Sequence, residues 1–266
     1  MFGSAVSSAA CHGPETHDGA SLESELDRMG PMPLLLPPPG DPRVRYVESI
    51  EALLATPFGG TCSAVCLRRS PKGDFDELLR SCDAETSSAP IDFASLARTE
   101  LSPAGQAAAA YLQRDLQLLS EAGHTPSVEF VRSYARDPDG LLPTDVYSFH
   151  VDRAPVPAVT FLCTYTGQPS EGLFPDEAER RVDDPEVRVR ALASFGGPDG
   201  PAFRAFLSEQ HYDLHYRPVP GAKPFSFGLG NLWKLAVQYP GAPVSALIHR
   251  APAPDAKPQA RLILIS

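Results

Sequence analysis

The chain is short of the features that mark several protein classes. Lysine and arginine number 23 against 33 aspartates and glutamates, the formal charge is −10, and the basic residues never form a dense cluster. A groove that tracks phosphates needs a basic face, so nucleic acid is not an expected partner. No apolar run nears the roughly 20 residues of a membrane helix, since "MPLLLPPPG" is short and runs into prolines. The N-terminus has no basic region leading into an apolar block, so a secretion signal is not expected. The five cysteines (Cys11, Cys62, Cys66, Cys82 and Cys163) are an odd set without disulfide rhythm, which fits a reducing cytoplasm. Cys62 and Cys66 lack the second pair that a structural zinc site needs, so they are expected as small, partly buried residues. No internal repeat is visible.

What is present is a core-building composition, 42% hydrophobic over 266 residues, enough for one large domain or two small ones. Residues 1–40 are rich in Ser, Ala, Gly and Pro and end in the stiff "PPPGDP", which reads as a mobile leader. Residues 41–266 then read as a single domain, with 41–139 a mixed α/β support. The clearest helix starts at Ser102 as N-cap, has Pro103 in its first turn, and ends at Gly123. Ala108, Leu112, Leu116 and Leu119 form one apolar stripe on it, suited to packing on a sheet.

Beyond residue 140 the pattern changes to strand-length segments bounded by Gly or Pro: "DVYSFHVD", "VTFLCTYT", "DLHYRPV", "SFGLGNLWKLAV", "VSALIHRA" and "ARLILIS". An insertion at about 168–210 carries a helix start at "VDDPEVRV", where Asp183 and Glu186 fit a capping box, and a second helix at "PAFRAFLSE". The expected fold class is α+β, a sandwich or barrel with helices on one outer face.

In "TDVYSFHVDR", read as a strand, Ser148, His150 and Asp152 share a face opposite Tyr147, Phe149 and Val151. His-x-Asp on one face is a two-ligand site for a cation, weak by itself. In "PVSALIHRAP" the alternation puts Ser245, Leu247 and His249 together. Arg261 then opens the apolar strand "ARLILIS", and an antiparallel pairing of these last two strands would bring His249 near Arg261. A buried Arg at such a position needs an anion, from the protein or from a ligand. "HYDLHY" is a rival cluster, His211, Asp213 and His215 on one strand face. Spread over about 13 Å at 3.3 Å per residue, these three cannot all reach one ion. His215 is either a solvated polar residue or part of a substrate cavity. Arg250 should point away from His249 and play a structural part.

His150-x-Asp152, distal His249 and then Arg261 together resemble the Fe(II)/2-oxoglutarate-dependent oxygenase superfamily. The strings "FLCTYTG", "GLGNLWKLAV" and "IHRAP" are also similar to a group of bacterial proteins near it. The resemblance covers about residues 140–266. It implies a double-stranded β-helix (jelly-roll) core and a facial triad of His150, Asp152 and His249 holding Fe(II). It also implies 2-oxoglutarate anchored by Arg261, O2 as oxidant, and C–H oxidation of a small molecule or peptide. Tyr165 either assists Arg261 at the cosubstrate carboxylate or makes a purely structural hydrogen bond. The insertion sits where a lid would be useful. Two competing expectations are a metalloenzyme on the same barrel without 2-oxoglutarate, and a binding module without turnover.

Overall fold

A computed structural model describes residues 34–82, 87–136, 140–252 and 260–266; the leader up to residue 33 lies outside them. Residues 34–40 are already part of the fold. The Tyr46 hydroxyl donates to the Pro37 carbonyl at 2.5 Å, the Ser226 amide donates to the Leu35 carbonyl at 3.0 Å, and Leu36 packs into the core.

The protein is α+β. Its strands are β1 (Val44–Val47), β2 (Ala64–Leu67), β3 (Ser88–Pro90), β4 (Ser127–Val131), β5 (Val159–Thr166), β6 (Glu171–Leu173), β7 (Ala178–Arg180), β8 (Tyr216–Pro218), β9 (Phe225–Ser226), β10 (Leu232–Ala236), β11 (Ile248–Arg250) and β12 (Arg261–Ile265). Seven form a mixed sheet in the order β1-β2-β10-β5-β12-β4-β3, in which only β1 and β2 pair in parallel. A three-stranded sheet runs β11-β6-β9, and β7 pairs with β8. The two larger sheets do not close into a barrel among the described residues.

Among the described residues six α-helices accompany them: α1 (Ile50–Ala55), α2 (Phe75–Arg80), α3 (Phe93–Leu96), α4 (Pro103–Glu121), α5 (Pro185–Phe195) and α6 (Pro201–Glu209). Helix α4 begins as its sequence predicts: the Ser102 hydroxyl accepts the Gly105 amide at 3.0 Å, with Pro103 following. Ala108, Leu112 and Leu119 are fully buried against the large sheet, together with Leu53 of α1 and Leu78 of α2. Each such leucine contributes about 1.5–3 kcal/mol by leaving water. These three helices therefore cover one face of the large sheet, as the apolar stripe required.

Period-2 alternation decides what the other face carries. On β5, Phe161, Cys163 and Tyr165 point to the helices, and Leu162 points to the small sheet. On β12, Leu262 and Leu264 go to the helices, leaving Arg261 on the far side. Trp233, Leu235, Phe225, Phe227, Phe174 and Leu247 fill the space between the two sheets. "SFGLGNLWKLAV" is not one strand. Gly228 (φ 67°) and Gly230 (φ 76°) take left-handed turns that carry the chain from β9 in the small sheet to β10 in the large one.

Four other expectations need correction. Residues 144–153 do not form a strand: Asp145 accepts the Tyr147 amide on its side chain and the Ser148 amide on its carbonyl, a local turn that competes with extended pairing. The segment makes only isolated bridges among the described residues: His150 to His249 and to His215, and Arg153 to Gln238. "HYDLHY" is not a strand face either. His211 has φ 59° after α6, and Tyr212–Leu214 form a 3-10 turn. The insertion also starts later than its composition suggests, because β6 is an integral strand of the small sheet. It builds its own small core of Val182, Ala191, Phe203 and Leu207, and α5 is capped by Asp184, not Asp183, since Pro185 takes the first helical position.

Candidate metal centre

The small sheet extends beyond β11 through isolated backbone bridges. His249 lies opposite Gly172 of β6 on one side and opposite His150 on the other, and His150 lies opposite His215. The His150 and His249 amides each donate to the other's carbonyl at 2.9 Å. Residues directly opposite on adjacent strands point the same way. Their neighbours Phe149, Val151, Leu214, Ala246 and Ile248 form a separate apolar cluster behind the sheet. The three imidazoles therefore form a row facing the interior, with ring centroids 4.6 Å apart for His150 and His249 and 5.8 Å for His150 and His215.

Asp152, two residues after His150, completes a group with His150 and His249 whose ligand atoms lie within 4.8 Å of one another. The His249 Nε2 to Asp152 Oδ2 distance is 3.8 Å. His150 Nδ1 sits 2.8 Å from the Ser148 carbonyl, which can only accept, so Nδ1 carries the hydrogen and Nε2 keeps its lone pair. His249 Nδ1 has a similar, longer approach of 3.5 Å to the Leu247 carbonyl. Orientation of a ring through its other nitrogen is the usual support of a metal-ligating histidine. The Thr160 hydroxyl donates to Asp152 Oδ2 at 2.5 Å and fixes the carboxylate.

The electrostatics suit a cation. Burial, then the neighbouring His249, push His150 down to about 4, so it is neutral at pH 7. Burial alone would raise the Asp152 carboxyl, but His249, the Thr160 hydroxyl and His150 together hold it below its ordinary value. Two imidazoles and one carboxylate form a donor set that fits a divalent transition metal, with room left for further ligands. Asp152 is the open side: its side chain is 35% exposed, against 8% for His249.

His249 and Arg261 do not lie on paired strands, because β11 and β12 belong to different sheets. Both nevertheless face the space between those sheets. Arg261 is 5% exposed, and its guanidinium donates to the hydroxyls of Ser170 (2.7 Å) and Thr164 (3.3 Å), while Nε has no partner. No carboxylate among the described residues pairs with it, and burial lowers its proton affinity. Thr160 and Thr164 stand on the same face of β5, so Asp152 and Arg261 are held near two points about 13 Å apart along that strand.

Tyr165 is not beside Arg261. One residue along β5 from Thr164, it points to the helices, where its hydroxyl donates to Asp115 Oδ2 at 2.6 Å. Arg69 donates to both Asp115 oxygens, at 2.8 and 2.5 Å, and the three side chains bind α4 to the sheet. His215 joins the imidazole row but not the three-ligand group. It is 4% exposed, its Nδ1 has no partner, and burial followed by the repulsion of His150 pushes it down to about 4. A buried polar atom left so costs about 1–3 kcal/mol. Asp213 goes instead to Arg153, and Arg250 pairs with Glu171 at 2.6 Å and stacks over Phe149, a structural part as expected. Cys62 and Cys66 are buried and free. Thr160, Thr164 and Ser170 were not singled out from sequence, although alternation along "VTFLCTYT" separates both threonines from the helix-facing residues.

Comparison with protein-family models, curated proteins and solved structures returns no match to this chain.

Proposed function

We propose that this protein is a non-haem iron oxygenase that uses 2-oxoglutarate to oxidise a C–H bond of a small organic molecule or peptide. The observation that carries this is the juxtaposition, on facing inner surfaces of two sheets, of a His-Asp-His group and a buried guanidinium without a carboxylate partner. His150, Asp152 and His249 would hold the metal, leaving the remaining coordination positions for cosubstrate and O2. Arg261 would bind the far carboxylate of 2-oxoglutarate through a charge-assisted fork, with Ser170 and Thr164 setting its orientation. When bound, ferrous iron with 2-oxoglutarate and O2 supplies oxidative decarboxylation to succinate and CO2, coupled to oxidation of the substrate. The chain's own share is to orient both acids, keep His150 neutral and limit water.

Strand order supports a double-stranded β-helix. Counting β4 as first strand and the His150 segment as second, the antiparallel pairs are first with eighth (β4, β12), second with seventh (His150, His249), third with sixth (β5, β10) and fourth with fifth (β6, β9). This is a long two-stranded ribbon wound so that successive pairs alternate between two sheets, the jelly-roll arrangement. The net charge of −10 favours a small substrate over nucleic acid.

The test is an anaerobic titration of the purified chain with Fe(II) and 2-oxoglutarate, following the visible metal-to-ligand charge-transfer band. The band is expected in the wild type and absent in Asp152→Ala. Metal binding without that band would instead favour a metalloenzyme that does not use 2-oxoglutarate.

A further inference from the structure

The row of cross-strand neighbours continues past His215. Arg180 pairs with Tyr216 in the β7–β8 ladder, so the next residue, Arg181, stands opposite His215, and its amide donates to the His215 carbonyl at 2.9 Å. Ala178 and Tyr216 both pack on the apolar cluster behind the sheet, so His215 turns to the opposite, interior side; Arg181 opens a 3-10 turn (Arg181–Asp183) beside it, close enough for its charge to act on the His215 ring. The order across the strands is therefore Arg181, His215, His150, His249. Two strand spacings, about 10 Å, separate the backbones of Arg181 and His150.

The neighbouring arginines are occupied. Arg180 pairs with Asp183, and Arg217 pairs with Glu179 and Asp184. Arg181 is half-buried, and among the described residues no carboxylate pairs with it. Burial and then the adjacent Arg217 and Arg190 lower its proton affinity, which is the mark of a guanidinium short of negative charge. Beside it, His215 is almost wholly buried, with a ring nitrogen that no group among the described residues satisfies.

The geometry points to Arg181 and His215 as a recognition site for an oxyanion, a carboxylate or phosphate, carried by the substrate next to the metal centre. A guanidinium offers a positive charge and a forked pair of donors, and His215 adds a ring N–H in the tautomer protonated on Nδ1, a set that favours an oxyanion over a neutral amide. The substrate class is then a small organic acid or phosphate ester whose anionic end lies on Arg181 while its other end reaches His150. Calling that ligand a substrate rests on the oxygenase reading; the anion site itself does not.

The full chain, freed of metal by chelation and labelled with 15N in its imidazoles, is titrated with hippurate against hippuramide and with phenyl phosphate against phenol. A charged probe is expected to shift the His215 resonances, while its neutral match does not. Affinity for it should fall at least tenfold in Arg181→Gln, fall less in Arg181→Lys, which keeps the charge but not the fork, and be kept in the control Arg180→Gln, with unchanged near-ultraviolet circular dichroism showing the fold intact. A preference for the acid over the ester, or the reverse, tells which oxyanion the site takes. Equal affinity in Arg181→Gln, or no preference for charged over neutral probes in the wild type, overturns the proposal. A parallel cobalt(II) titration separates the two conclusions. Failure to bind metal with the anion site intact removes the oxygenase reading alone, and the opposite pattern removes the anion site alone.

Discussion

Arg261 offers the sharpest test, because it is costly to the protein in the absence of a ligand. Arg261 is 5% exposed, and among the described residues its guanidinium is compensated only by two hydroxyls. Replacing a buried ion pair by apolar side chains of similar volume is often neutral or stabilising by about 1–4 kcal/mol, and a buried charge without an opposite partner lacks even the pair's mutual attraction. Arg261→Met removes the desolvation cost and keeps the length of the side chain. Against this, Ser170 and Thr164 each lose a donor, at about 1 kcal/mol apiece or less, since a hydroxyl can turn to another partner. The net expectation is a gain of about 1–2 kcal/mol for the ligand-free protein, or a rise in Tm of roughly 2–6 °C for a domain of this size. Ligand response should change in the opposite sense. With manganese(II) present and 2-oxoglutarate at a hundred times its Kd, the wild type gains about 2.7 kcal/mol, and the variant gains nothing from the acid. Thermal unfolding followed by circular dichroism, with and without 2-oxoglutarate, measures both effects. A ligand-free variant less stable than wild type by more than about 1 kcal/mol would show that the guanidinium serves the fold. An undiminished response to 2-oxoglutarate would show that the acid binds elsewhere.

Other consequences follow from the same geometry. Asp152→Ala and His249→Ala should each weaken cobalt(II) binding at least about 100-fold, as judged by the visible spectrum, because each removes one of three ligands. Stability should fall on acidification. His150 and His215 are held near 4 in the fold against 6.5 when unfolded, so their contribution is complete above pH 6.5 and is lost as the pH falls toward 4. One such displacement corresponds to roughly 3 kcal/mol, and the mutual repulsion of the two rings keeps their joint loss below twice that, measurable by urea unfolding at pH 7 and pH 4.5. Tyr165→Phe should cost about 1–3 kcal/mol through its bond to Asp115, with no change in 2-oxoglutarate affinity by calorimetry. Gly172→Ala should disturb the centre without touching a ligand: a Cβ there collides with the rings of Phe225 and Phe227, which are locked in an aromatic stack with Trp233, and Gly172 is the cross-strand partner of His249. Loss of metal affinity beyond tenfold is expected, and unchanged affinity would mean the stack yields.

Much of the architecture was legible because it depends on local spacing. The long helix, its Ser102 cap and its apolar stripe follow from a 3.6-residue period, and "VTFLCTYT" forms β5 over the same eight residues. His150, Asp152 and His249 were legible as ligand types, and Arg261 as a buried cation in need of an anion. Where the reading failed, a neighbour decided. Asp145 folds the segment before His150 into a turn, and left-handed glycines split one apparent strand between two sheets. Asp115, hidden in an otherwise helix-compatible stretch, draws away the Tyr165 hydroxyl.

Along regular strands such as β5 and β12, alternation by itself determined which side chains share a face, and residue type determined which side chains could ligate a metal. Only the tertiary structure decided that His150 lies between His215 and His249, and that Arg261 faces them from the opposite sheet. Facing is a property of one strand's pleat and is written in two-residue spacing. Strand neighbourhood depends on how a ribbon of distant segments winds, and no local spacing encodes that.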